Sequence, residues 1–215
     1  MPLTRRALLA GGALLALGSA CRRPPRVPTR ALPGTREAEE LDTEDGPLPI
    51  DIDDPQAGPK SATCVLVVFG DFQCPFCRDA AAIVARLRKE LPDRTRLVWK
   101  HLPIPAHKDA RLAAVASQVV FLEAGSTAFF RYHDRCFENA HALSASHLGR
   151  WAAAEGVSAQ AITSRAPEAK LRVEADIALG IRLGVTGTPR QYVNARRVQG
   201  AYPYEQMRAW VDEVI

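Results

Sequence analysis

Cys64-Val65-Leu66-Val67-Val68-Phe69, then Gly70-Asp71-Phe72-Gln73, then Cys74-Pro75-Phe76-Cys77 and the run beyond it to Leu91 decide how this chain folds. Six apolar residues without alternation suit a strand covered on both faces, as in a parallel sheet. Ala80, Ala81, Ile83, Val84, Leu87 and Leu91 recur at helical spacing, which predicts a helix packed on that sheet. Strand, CxxC and helix follow one another with only a short loop between them.

A CxxC that opens a helix has a mechanical meaning. Pro75 suits the first turn, where a missing N–H costs nothing. Cys74 meets the unpaired N–H groups of the helix start, and that field favours its thiolate. Cys77 returns within disulfide reach one turn later, so one sulfur can exchange with a substrate while the other resolves the mixed disulfide. The competing chemistry is half a zinc site, which needs four ligands. His133 and Cys136, three apart on a predicted helix, could supply two more, but both positions also serve helix packing, His133 is expected to be a satisfied helix histidine, and no metal is expected.

Outward from this segment, Thr95–His101 reads as a second strand, completing a right-handed parallel crossover. From about 108 to 183 the pattern is helical, through Leu112, Val115, Val119 and Leu122, then Phe129, Phe130 and His133, then Leu148, Trp151 and Ala152, then Val173, Ile177 and Ile181. No strand signal interrupts it, which predicts a helical subdomain inserted into an α/β frame. Gly184–Pro189 ends the helices, Gln191–Val193 and Arg197–Gln199 form a hairpin candidate around Asn194-Ala195-Arg196, and Met207, Trp210, Val211 and Val214 give a last helix one apolar stripe.

On the N-terminal side, Arg5 and Arg6 precede an apolar run, Ala7–Leu17, that ends in Gly18-Ser19-Ala20, so residues 1–20 read as an export signal. Thr4–Leu9 also resembles a twin-arginine signal, although paired arginines occur in ordinary signals too. Cys21 directly follows, as in a bacterial lipoprotein signal, and is the expected lipidation site; Leu17 stands four rather than three before it, and ordinary cleavage after Ala20 is the alternative. Residues 21–47, rich in Pro, Arg and Glu, read as a flexible tether, with the folded domain over 48–215 and a first strand at Pro49–Asp53. The 215 residues, 47% hydrophobic, suffice for one domain with a real core, and a mixed net charge of +4 argues against nucleic-acid binding. Of the five cysteines, Cys64 and Cys136 read as separate buried thiols, a second disulfide being the alternative.

Phe69–Cys77 together with Gly184-Val185-Thr186-Gly187-Thr188-Pro189 resembles the DsbA-like disulfide oxidoreductases, a similarity that continues through His101–His107 and Ala201–Glu205 and covers roughly 49 to 215. The resemblance implies a thioredoxin-like fold with a helical insertion, catalytic Cys74 and Cys77 with Pro75 and Phe76 as the tuning pair, and a cis Thr188-Pro189 whose backbone binds an extended substrate segment. It implies no cofactor beyond the cysteine pair. Four departures carry expectations. Phe76 offers a thiolate neither charge nor hydrogen bond, so the expected oxidising power is intermediate. Val68 occupies a position where the family usually has a buried acid that relays protons; Lys100 and His101 are possible substitutes, or else strand-end residues reaching solvent. Arg190, after the cis-proline candidate, could favour acidic clients or simply be solvated, and Ala195 replaces a hairpin glycine.

The expected function is thiol–disulfide exchange with cysteine-containing exported proteins at the periplasmic side of a bacterial membrane, most simply as an oxidase renewed by a membrane redox partner. A reductase or isomerase with the same site, and a redox-inert peptide- or metal-binding module, are the alternatives.

Overall fold

A computed structural model describes residues 39–215; the expected export signal, Cys21 and the expected tether up to residue 38 lie outside the described residues. The elements run β1 (Glu39–Thr43), β2 (Gly46–Ile50), β3 (Gln56–Ala57), β4 (Cys64–Gly70), α1 (Pro75–Glu90), β5 (Thr95–His101), α2 (Ala110–Glu138), α3 (Ala145–Ala154), α4 (Ala159–Arg182), β6 (Arg190–Val193), β7 (Arg196–Gln199) and α5 (Tyr204–Asp212). Five strands form one sheet in the order β3-β5-β4-β6-β7. β4 and β5 are parallel, with Val68 opposite Trp99, whereas β4–β6, β6–β7 and β3–β5 are antiparallel.

The unbroken apolar run of β4 follows from its place at the middle of this sheet. Cys64, Leu66 and Val68 face one core, with Cys77, Val84 and Leu87 of α1 and much of α2. Val65, Val67 and Phe69 face a second core, with Leu179 of α4, Leu183 that caps it, and Leu48 and Ile50 of β2. Both faces are dry, so each residue of the strand contributes burial, at roughly 25 cal/mol per Å2 of apolar surface. At the end of β4 only glycine fits: a Cβ on Gly70 would overlap the Trp99 ring.

α2, α3 and α4 all lie between β5 and β6, forming the helical insertion of a thioredoxin-like frame. α2 is long and apolar enough to cross a membrane by length and composition, yet Ala113, Val119, Val120, Phe129 and Phe137 are spent on the core. It breaks at Gly125, whose φ of 76° and ψ of −177° lie outside helical values. Cys64 and Cys136 are buried, unbonded thiols on the α1 side of the sheet.

Four sequence expectations are corrected. Residues 39–47 are not tether, and the strand expected at Pro49–Asp53 is centred earlier: β1 and β2 form a hairpin, Thr43 opposite Gly46. Local apolar content did not announce it because long-range contacts order it. Leu48 and Ile50 enter the second core, Glu44 N–H donates to Ala195 O at 3.1 Å, and Asp45 accepts from Arg190, Arg197 and Tyr192 at 2.7, 2.7 and 2.8 Å. Arg190 is therefore neither solvated nor free for acidic clients; its side chain is buried and committed to Asp45 and to Gln199 at 2.5 Å. Lys100 and His101 do not reach solvent. Lys100 points to the second core, 2.7 Å from Asp54 and 3.7 Å from Asp176. His101 accepts from Trp99 Nε1 at 3.1 Å, and its Nε2 is 3.2 Å from Gln118 Oε1.

The hairpin turn at Asn194 needs no glycine at 195. Asn194 itself takes the left-handed conformation, φ 49°, which asparagine tolerates, and its side chain accepts from Val65 N–H at 2.6 Å.

Burial opposes ionisation of Asp45, but the Tyr192 hydroxyl, Arg197 and Arg190 outweigh it and hold the carboxyl below its usual value of 3.8. Its contribution is present above that value and is lost as pH falls through the lower, folded one. Asp45→Asn, which strands a buried arginine, is expected to cost about 3 kcal/mol in urea unfolding at neutral pH, and the difference from wild type should shrink in acid below about pH 4.

Candidate active site

Cys74 is the N-cap of α1 in an extended conformation, and Pro75 opens the helix. Cys77 and Arg78 N–H groups donate to the Cys74 carbonyl at 3.1 and 3.2 Å, which seats the cysteine on the helix start. The two sulfurs then meet different surroundings. Cys74 Sγ lies 3.3 Å from Thr188 O, across a cis Thr188–Pro189 peptide from the segment that follows α4. Cys77 Sγ is buried beneath it, with the Asp71 N–H at 3.4 Å. Phe76, between the two, stands 62% exposed and offers apolar surface beside the exchanging end.

These surroundings drive the two thiols in opposite directions. A hydrogen bond from Cys77 is the largest influence on Cys74; with Thr188 and the N–H groups of Cys77 and Phe76 it outweighs partial burial and brings the thiol down from 9.0 to about 5. Burial first, and then the neighbouring Cys74 sulfur, push Cys77 far above the ordinary thiol value. At neutral pH the reduced pair is one thiolate over one thiol, as a nucleophile and a resolving group require.

The loop between β4 and α1 is held by a device that the sequence contained but did not reveal. Asp71, three residues before Cys74, has a fully buried carboxylate that accepts from Gln73 N–H, Ile104 N–H and His107 Nδ1, each at 2.7 Å. Gln73 Oε1 in turn accepts from Asp109 N–H at 2.7 Å. Asp71 thus ties the cysteine loop to residues 102–109, with its carbonyl 3.1 Å from Cys74 N and its own N–H on Cys77 Sγ. Asp71 and His107 both sit in stretches that look distinctive in the sequence, but no spacing rule connects residues 36 apart.

Other expected site residues are placed as follows. Val68 packs in the core beside Cys77, so no carboxylate stands there. Burial holds His101 down at about 3, and both ring nitrogens are engaged, so it stays neutral and gives Cys77 no acid. Among the described residues no group of three or more His, Cys, Asp or Glu is arranged to hold a metal. His133 is buried but not satisfied: its Nδ1 is 2.8 Å from Asp134 Oδ1, and its Nε2 has no hydrogen-bond partner among the described residues.

The family model for the DSBA-like thioredoxin domain matches residues 65–211. The chain belongs to this family. The fold is similar to that of the thiol-disulfide exchange protein alpha-DsbA2 from Wolbachia pipientis, with a TM-score of 0.68 at 19% identity over 76% of this chain and 88% of that one. The catalytic domain of Proteus mirabilis ScsC is similar at TM-score 0.67 and 25% identity, covering 76% of this chain and 89% of its own. In sequence, a Na(+)/H(+) antiporter NhaA 1 of Salinispora arenicola is 31% identical over 196 residues, 89% of this chain but 29% of the antiporter. The chain thus spans under a third of the curated relatives it matches first.

Because Cys74 ionises near pH 5 and Cys77 does not, reduction of this DsbA-like pair takes up two protons below that pH and one above it. The depressed Cys74 value stabilises the reduced form fully above the ordinary thiol range, an advantage lost as pH falls from about 9 to about 5. The reduction potential is therefore expected to fall by ~59 mV per pH unit below pH 5 and by ~30 mV above it. Redox titration across pH checks this; a single slope of ~59 mV throughout to pH 8 would show that Cys74 is an ordinary thiol.

Proposed function

We propose that this chain exchanges disulfides with cysteine-containing exported proteins at the periplasmic face of a bacterial membrane, with Cys74 as the exchanging sulfur and Cys77 as the resolving one. The observation that carries the reading is the opposite displacement of the two thiols at the start of α1. In the oxidising direction a client thiolate attacks Cys74 Sγ, the Cys74–Cys77 bond breaks and its electron pair leaves on Cys77. The client's second thiolate then attacks its own sulfur in the mixed disulfide, releasing Cys74 as a thiolate. The client loses two electrons and the cysteine pair gains them.

Stabilising the Cys74 thiolate stabilises the reduced form, and this makes the disulfide the better oxidant. That supports the oxidase direction over the reductase one. The Phe76 side chain adds no charge or hydrogen bond to the thiolate, so the power is set by Cys77, the N–H groups of the helix start and Thr188, and is intermediate. The backbone at Thr188-Pro189, beside Cys74 Sγ, suits an extended client segment added edge-on, and exposed Phe76 gives that segment apolar contact. A membrane redox partner renews the disulfide. The signal at 1–20 and lipidation of Cys21 would hold the enzyme at the envelope, with or without twin-arginine export. Ion transport forms no part of the proposal, given how little of the antiporter this chain spans.

Equilibration with glutathione buffers tests the direction. The expected potential lies between those of DsbA, ~−120 mV, and thioredoxin, ~−270 mV, and above ~−200 mV. A value at or below thioredoxin's would make the protein a reductase.

A further inference from the structure

Cys77 must lose or gain a proton in every cycle, because it rests as a thiol and reacts as a thiolate. While Cys74 is tied into a mixed disulfide it cannot serve, and the Asp71 contact is a peptide N–H, which has no proton to give. A second group has to do so.

Between α1 and α2 lies a pocket of about 40 Å3 whose lining includes Val68, Ala81, Arg88, Trp99, His133 and Asp134. Ala81 follows Cys77 by four residues, on the same face of α1 and about 6 Å further along its axis. His133 is 3% exposed and enclosed by the rings of Trp99 at 4.7 Å and Phe137 at 4.8 Å. Asp134 Oδ1, 2.8 Å from Nδ1, accepts, so Nδ1 carries a ring proton and Nε2 is the nitrogen that can take up or release the other. That nitrogen is buried, has no hydrogen-bond partner among the described residues, and belongs to a pocket-lining side chain; Arg88 Nε shares all three properties. A pocket needs only ~10–15 Å3 and two or more polar partners to hold a water. Asp134, 66% exposed, continues the path to solvent.

We propose that His133 is the proton-transfer group for Cys77, acting through a water held in this pocket by Arg88 Nε and His133 Nε2; this rests on the reading of Cys77 as the resolving sulfur. When a thiolate attacks Cys74 Sγ and the Cys74–Cys77 bond breaks, the departing Cys77 thiolate takes a proton from the water, and the water takes one from protonated His133. In the reverse direction Cys77 gives its proton to the water and His133 Nε2 accepts one, as the new S–S bond forms and the client thiolate leaves. Asp134 holds the tautomer and exchanges the proton with solvent. The charged and titratable groups facing His133 are Arg88 from α1, His101 from β5 and Asp134 beside it. His101 is no competitor, both of its nitrogens being occupied.

Stopped-flow reduction of the oxidised protein by dithiothreitol, followed across pH, tests the assignment. His133→Ala is expected to slow the reaction about tenfold or more, with free imidazole restoring part of the rate, while the equilibrium reduction potential stays near wild type. Asp134→Asn, at an exposed position that does not endanger folding, is expected to slow it less and to displace the pH profile. If Asp134→Asn keeps the wild-type rate and profile, or imidazole restores nothing to a folded His133→Ala, the proposal is overturned. If instead the wild type fails to react with thiols, or Cys74→Ser still exchanges, the underlying reading of the cysteine pair fails, and the assignment of His133 falls with it.

Discussion

Two sulfurs one helical turn apart cannot share an environment when the first caps a helix and the second lies against a sheet. The helix start lets Cys74 collect hydrogen bonds that favour charge, whereas the same geometry drives Cys77 into the apolar core, where charge is penalised. The whole site follows from that inequality. It depends on the exact seating of Cys74, and the seating depends on the buried Asp71 carboxylate, which locks the loop between β4 and α1 to residues 102–109. Neither Asp71 nor His107 need touch a substrate to matter, since a loop that slid would move both sulfurs together.

The sheet divides the molecule's polar residues between two tasks. On the face away from Cys77, Lys100 with Asp54 and Asp176 ties β5 to the segment after β2 and to α4, and the Asp45 cluster ties the N-terminal hairpin to β6 and β7. Buried pairs of this kind fix which segments meet more than they add to stability. On the face that carries Cys77 the surroundings are nearly all apolar or aromatic, Phe72 stacking on Trp99 at 5.5 Å and Trp99 meeting His133 edge-on. A proton route on that side must therefore rest on few groups, which is why a half-partnered histidine there carries weight.

Much of this was legible in the sequence wherever the signal was local. The unbroken Cys64–Phe69 run marked a central strand, the Thr95–His101 pattern coincides with β5 at both ends, and CxxC with a following helical stripe located α1. The helical stretch between β5 and β6 was readable because nothing in it alternates. What escaped was long-range. The β1–β2 hairpin is ordered by Asp45 reaching residues about 150 positions away, and the same contact withdraws Arg190 from the surface. Lys100 and His101 looked like strand-end residues because their partners, Asp54, Asp176 and Gln118, come from three separate elements or turns. The Asp71–His107 contact likewise joins two motifs that the sequence keeps apart.

The central claim is that Cys74 alone meets the client while Cys77 stays behind it, and trapping the mixed disulfide tests this most directly. Cys77→Ser and Cys74→Ser variants are each mixed with a reduced, unfolded client, and the adducts are mapped by mass spectrometry. The account predicts a stable client adduct at Cys74 in the first variant and none at Cys77 in the second. Comparable adduct at Cys77 in the Cys74→Ser protein would contradict it.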